Sequence, residues 1–215
     1  TAYEIYQCDW SSDVCSSDLI AGLALMPFVF DLPILFGPIH IAFLEMVIDP
    51  VCSIVFENEP EEEDVMARPP RDPKTPLLSA RLVAWGAIQG VVAFAMVAAV
   101  ELASVARGMP IDEGRALTFF ALVFTMVGLV FVGRTFRSTG FGLLGRPNPA
   151  LAIVLAVVVS VLALTLAWAP AGALFRFGPL HADDLAVTVG VGVATLALLE
   201  IVKRIDGIGR PRPPR

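Results

Sequence analysis

Two acidic residues, Glu45 and Asp49, lie within an otherwise apolar stretch that covers residues 39–56. As a helix, these 18 residues would rise about 27 Å, close to the roughly 30 Å hydrocarbon core of a bilayer. A carboxylate near the middle of such a helix costs roughly 2.5–3.5 kcal/mol to insert, so the pair would cost roughly 5–7 kcal/mol. We therefore expect a cation to neutralise the two carboxylates.

The spacing of the two acids brings several oxygen atoms to one place. Residues four apart in a helix project from the same face, so Glu45 and Asp49 should lie side by side. Pro50 follows Asp49 and has no N–H to donate to the carbonyl of Met46. Two carboxylates and the backbone carbonyl of Met46 predict a metal site for a hard cation such as Ca²⁺, Mg²⁺, Mn²⁺ or Na⁺. The alternative is a structural hydrogen-bonded pair between helices, with one acid protonated.

The composition places these acids in a membrane protein. Of the 215 residues, 56% are hydrophobic and 17% are charged, and the mean hydropathy is +0.75. Soluble domains average about 45–50% apolar and about 25% charged residues. The sequence has no GxxxxGKS/T loop, no HExxH motif and no nucleophile elbow. We therefore predict no catalytic or cofactor-binding residues, no nucleic-acid partner, and no nucleotide hydrolysis by this chain alone.

The elements that must position the acids are helices. Apolar segments alternate with short polar connectors, which predicts an all-α, polytopic membrane bundle of about six helices. The predicted helices cover residues 19–36, 38–57, 80–102, 116–134, 149–169 and 184–203. The first apolar run is short, so we interpret it as the end of a longer helix. Residues 204–215 are predicted to form a disordered cytoplasmic tail.

The first 18 residues differ in character from the rest of the chain. They are polar, contain no Lys or Arg, and give way abruptly to an apolar run. The missing basic region argues against a signal peptide. The string CDWSSDVCSSDL resembles translated sequencing-adapter sequence, so we interpret residues 1–18 as a non-native leader and exclude them from the fold prediction.

Basic residues predict the orientation in the membrane. Twelve of the 15 Lys and Arg residues fall in the connectors after the second and fourth helices, in the tail, or at the helix ends that border them. The alternate connectors hold only Arg107, Arg115 and Arg176. Because cytoplasmic loops carry an excess of basic residues, we expect the first set to face the cytoplasm of a multi-pass protein in the cell membrane.

Other polar residues near the predicted spans are interpreted as structural. Glu101 and Glu200 lie at predicted helix ends and are expected to reach interfacial water. His40 begins the acidic helix, where ordinary solvation is the expected role. Most of the remaining polar groups, including Thr118 and Thr125, are expected to pack between helices.

Residues 37–71, GPIHIAFLEMVIDPVCSIVFENEPEEEDVMARPPR, resemble the sixth membrane helix and following loop of P-type cation-transporting ATPases, especially bacterial calcium-pump-like members. The loop string DVMARPPR is the more specific part of the likeness. The resemblance extends over residues 20–203 as the last six helices of such a pump, from a truncated fifth helix to the tenth. Beyond residue 71 it depends mainly on spacing.

The resemblance implies a site and a function. In this family the sixth helix is unwound at the proline and supplies cation ligands, and Glu45 and Asp49 occupy two ligand positions. Gly128 stands where animal calcium pumps have a ligand acid in the eighth helix. The parent would couple ATP hydrolysis to cation export, with Ca²⁺ the leading ion. ATP and Mg²⁺ would bind to missing amino-terminal domains, so this transport half should be inactive alone. Its partners would be the lipid bilayer and that missing part.

A second hypothesis stays open at this point. A self-contained six-helix channel or secondary transporter could use the same acids for an ion or proton pathway. A purely structural membrane scaffold would explain the hydrophobicity but would leave the acid pair without a role.

Overall fold

A computed structural model describes residues 19–30, 33–58, 80–134 and 149–205. Within these ranges the chain forms seven helices and no strand. The helices are α1 (Leu19–Phe30), α2 (Pro38–Glu57), α3 (Ala80–Ala106), α4 (Ile111–Arg134), α5 (Pro149–Ala167), α6 (Ala169–Phe175) and α7 (Ala182–Ile205). The predicted all-α membrane bundle is confirmed. The proposed leader, the DVMARPPR loop and the tail after residue 205 lie outside the described residues.

Among the described residues, four helices are long and apolar enough to cross a membrane. They are the segments Val83–Ala106, Ile111–Gly133, Pro149–Ala167 and Ala182–Lys203 of α3, α4, α5 and α7. Large apolar side chains such as Ile153 and Val193 are exposed on their outer faces, as expected for helices in contact with lipid. The helix α1 is apolar but shorter, with 12 residues. A membrane crossing by α2, which has 20 residues and carries both acids, stays a prediction.

The centre of the bundle is α4, which packs most extensively against α7 and next against α3. Two glycines allow α4 and α7 to approach closely. A Cβ added to Gly192 would lie 2.7 Å from the carbonyl oxygen of Phe124, and one added to Gly128 would lie 3.0 Å from the carbonyl oxygen of Gly192. Small residues at such crossings allow backbone-to-backbone packing where lipid supplies no hydrophobic driving force.

Several helix bounds differ from those predicted. The helix α1 ends at Phe30, and residues 33–37, which begin with Pro33, are not helical. The helix α3 continues to Ala106, about one turn beyond its predicted end. The connector after α5 contains the short helix α6, because Pro170 fits the first helical turn and Trp168 is extended before it. A residue with positive φ, Arg176 (51°), ends α6.

Candidate cation site and the polar network beside it

The acidic helix α2 presents Glu45 on its outer side. His40 and Leu44 are buried, whereas Glu45 and Met46 are exposed, Met46 to 70%. In a helix, Glu45 and Met46 lie roughly opposite the buried stripe. The surface of α2 at Glu45 and Met46 is therefore exposed in the described part of the structure.

Asp49 follows Glu45 by one helical turn in α2. Its side chain lies outside the described part of the structure, so a shared site for the two carboxylates stays a prediction. Among the described residues, no group of three or more His, Cys, Asp or Glu side chains that could hold a metal comes together. A Ca²⁺ shell at Glu45, which takes six to eight oxygen atoms, would therefore have to include carbonyl, hydroxyl or water oxygens, or groups outside the described residues.

The expected unwinding at the proline is not present. The helix α2 runs without interruption from Pro38 to Glu57, through Pro50. Because a proline has no N–H in any conformation, the carbonyl of Met46 still lacks the helical donor that residue 50 would supply. In the continuous helix the proline ring lies beside this carbonyl, so a role for the Met46 carbonyl as a cation ligand stays a prediction.

Gly128 has a packing role that explains why no acid stands there. Its Cα faces the backbone of α7, where even a methyl group would contact the carbonyl of Gly192. A carboxylate side chain at this position would separate α4 from α7.

His40 is buried, which contradicts the expected ordinary solvation at a helix start. The backbone N–H of Gly37 donates to His40 Nδ1 over 3.1 Å. His40 Nε2 lies 2.9 Å from the carbonyl oxygen of Phe175 at the end of α6. Because Nδ1 accepts a hydrogen bond, the ring proton must lie on Nε2, which donates to Phe175. The geometry thus specifies a neutral imidazole with a single tautomer.

Arg115, near the start of α4, makes a second connection between the same regions. Its Nε donates to the carbonyl oxygen of Leu35 over 2.7 Å, and Nη1 donates to that of Arg176 over 2.9 Å. Nη1 also forms an ion pair with Asp112 on the same helix. We call these contacts, with those of His40, the Arg115–His40 network. It joins the segment before α2, the start of α4 and the end of α6.

Aromatic rings surround the imidazole of His40. The ring centroids of Phe119, Phe175 and Phe177 lie 5.7, 5.6 and 5.6 Å from that of His40. Phe175 and Phe177 stack on each other at 5.3 Å. These rings keep water away from the hydrogen bonds of His40, and a low local dielectric strengthens such bonds.

Glu101 is a second correction, because it does not reach interfacial water. Only 1% of Glu101 is exposed, and Thr118 Oγ1 of α4 donates to its Oε2 over 2.7 Å. The extension of α3 to Ala106 places Glu101 more than a turn inside the helix. Glu200 remains partly exposed and lies 3.5 Å from Lys203 Nζ.

Sequence reasoning missed the Arg115–His40 network. In the sequence, Arg115 stands out only as one of three basic residues on the sparsely charged side. Its partners Leu35 and Arg176 are 80 and 61 residues away along the chain, and both contribute backbone carbonyls. No residue type or spacing marks a backbone acceptor, so no sequence signal could have identified these bonds.

Comparison with known proteins identifies one family. A family model described as "Cation transporting ATPase, C-terminus" matches residues 33–205, which is most of the chain. The match includes α2 and continues through α7. No curated protein matches the sequence.

Proposed function

This chain belongs to the family of cation-transporting ATPase C-termini, and we propose that it forms the transport half of an ATP-driven cation pump. Glu45, Asp49 and the backbone carbonyl of Met46 supply cation ligands, and Ca²⁺ is the leading cargo. The observation that carries this proposal is the exposed carboxylate of Glu45 within an apolar helix of a family that moves cations.

The open face of α2 supports the proposal further. Two carboxylates and one carbonyl from one helix supply at most five oxygen atoms, which is fewer than the six to eight that Ca²⁺ takes. A face that is exposed in this part of the protein has room for other membrane helices of the pump to supply the rest. We propose that the amino-terminal part of the same pump covers this face and brings ATP and Mg²⁺ through its cytoplasmic domains.

Ion transport would follow from changes in the ligand shell to which α2 and the amino-terminal part both contribute. Phosphorylation in the amino-terminal domains would move the helices that cover α2, alter the distances to Glu45 and Asp49, and release the ion on the other side of the cell membrane. Protons that replace the departing cation would neutralise the carboxylates. The connectors rich in Lys and Arg would lie in the cytoplasm.

The test uses the full-length pump in membrane vesicles. We expect Glu45→Gln and Asp49→Asn each to abolish Ca²⁺-stimulated ATP hydrolysis, because each removes a charged ligand while keeping the side-chain volume. Glu200→Gln serves as the matched control, since Glu200 pairs with Lys203 of its own helix α7 and is not among the proposed ligands, and it should retain stimulation. Full stimulation in both ligand variants would contradict the proposal.

A flux measurement on the purified full-length protein tests the channel hypothesis. Proteoliposomes that contain the wild-type protein should take up cations only when ATP is supplied. Rapid cation flux without ATP would instead support a channel or secondary transporter.

A further inference from the structure

We propose that His40 and Arg115 are positioning residues for the cation carboxylates, because they attach the start of α2 to the end of α6 and the start of α4. The inference depends on the proposed function, since it concerns the geometry of the Glu45 site. Neither residue would touch the cation.

The two hydrogen bonds of His40 act on different parts of the structure. The bond from Gly37 to Nδ1 is local, because it spans three residues at the start of α2. The bond from Nε2 to the carbonyl of Phe175 spans 135 residues and ends on another helix. Of these two bonds, only the second ties α2 to another helix.

Arg115 reinforces that restraint from a third element. Its guanidinium donates to Leu35, just before α2, and to Arg176, the residue after Phe175. The same two segments are therefore bridged twice, once by an imidazole and once by a guanidinium. A lysine has one donor centre and could not reproduce the fixed fork of Nε and Nη1.

The segment that receives these bonds is itself held in place. Arg176 adopts φ 51°, which directs the chain sharply at the end of α6. The backbone N–H of Gly178 donates to the carbonyl of Asp112 over 2.9 Å, and a Cβ on Gly178 would lie 2.7 Å from the nitrogen of Glu113. The segment just after α6 thus packs directly on the first turn of α4, the central helix.

The carboxylate position depends on this attachment. Glu45 follows His40 by five residues, or about 7.5 Å along the helix axis. The helix α2 packs less extensively on α4 and α5 than α4 packs on α7, and its outer face is open in the described structure. Without the bond to Phe175, the start of α2 could shift. The distance from the Glu45 carboxylate to a bound cation would then vary more.

Two substitutions at His40 separate the local bond from the distant one. Asn places an amide oxygen near the position of Nδ1, so His40→Asn retains the bond from Gly37 and loses the one to Phe175. Gln places an amide nitrogen near Nε2, so His40→Gln retains the donor to Phe175. Cation-stimulated ATPase activity of the full-length pump is measured against free Ca²⁺ concentration.

We expect His40→Asn to raise the half-saturating Ca²⁺ concentration about tenfold, the change expected from one buried hydrogen bond, with the maximal rate within twofold of wild type. His40→Gln should stay within about threefold of the wild-type half-saturating concentration. Arg115→Lys should resemble His40→Asn. If His40→Asn does not accumulate as folded protein, His40→Phe keeps the ring volume without either bond and should show the same tenfold rise.

A merely structural role gives a different pattern. Both His40 variants would then lower thermal stability and maximal rate together, with an unchanged half-saturating concentration, and this result would overturn the inference. Equal half-saturating concentrations for His40→Asn, His40→Gln and wild type would also overturn the inference. If Glu45→Gln still abolished stimulation in that experiment, the proposed function would stand without it. If the wild-type pump showed no cation stimulation, or Glu45→Gln left it intact, the proposed function would fail first and the inference with it.

Discussion

The buried pair of Glu101 and Thr118 gives a prediction whose size follows from the structure. Thr118 is 0% exposed and donates to a carboxyl oxygen of Glu101, which is 1% exposed, over 2.7 Å. Thr118→Val keeps the shape of the side chain and removes the donor. Hydrogen bonds between membrane helices average about 0.6 kcal/mol, whereas a buried acceptor that is left without its partner costs about 1–3 kcal/mol. Because the acceptor is a buried carboxyl group, we expect a loss of about 2 kcal/mol.

Thr188→Val is the matched control for this substitution. Thr188 is also 0% exposed, but its Oγ1 donates to the carbonyl of Leu185 in its own helix. That carbonyl lies within the regular hydrogen bonding of α7, so the control should cost less than about 0.5 kcal/mol. The free energy of unfolding of the membrane domain in lipid bicelles measures both effects. Equal losses for the two variants would refute the assignment of Glu101 and Thr118 as a stabilising interhelical pair.

Two glycine positions give further predictions for the same unfolding assay. Gly192→Ala should destabilise the bundle by about 1–3 kcal/mol, because its Cβ would lie 2.7 Å from a backbone oxygen of α4. Gly190→Ala is the control and should cause no loss of stability, since nothing lies within 4 Å of a Cβ added there. A neutral Gly192→Ala would show that α4 and α7 do not approach as described. Gly178→Ala should lower the free energy of unfolding by a similar amount, because the added Cβ would push the segment after α6 away from α4. It should also weaken Ca²⁺ activation of the pump. Unchanged stability and activation would contradict the packing of Gly178 on α4.

The helices could be predicted from the sequence, because long apolar segments must satisfy their backbone hydrogen bonds internally within lipid. The positions of Glu101 and His40 could not. The apolar pattern weakens near residue 102, which predicts an interface at Glu101, yet the helix continues for another turn. A helix start predicts water around His40, but α6 and the phenylalanines around its ring exclude water from it. Such burial is decided by segments that are distant along the chain.

The candidate site could be predicted only in part. The choice of Glu45 and Asp49 depends on residue type, apolar context and spacing, all of which are present in the sequence. The continuous path of α2 through Pro50 differs from the expected unwinding, and it reflects the tolerance of a membrane helix for one missing hydrogen bond. Arg115 supports α2 through hydrogen bonds to backbone carbonyls. Every residue has such a carbonyl, so the residue types do not indicate these bonds.

Equilibrium binding of radioactive Ca²⁺ to the full-length pump, without ATP, tests the central claim most directly. The wild-type protein should bind Ca²⁺ saturably, and Glu45→Gln should reduce the affinity at least a hundredfold, while Glu200→Gln binds as the wild type does. Unlabelled Mn²⁺ and Na⁺ added as competitors would identify the preferred ion. Ca²⁺ binding that is unchanged in Glu45→Gln would contradict the assignment of this carboxylate as a cation ligand.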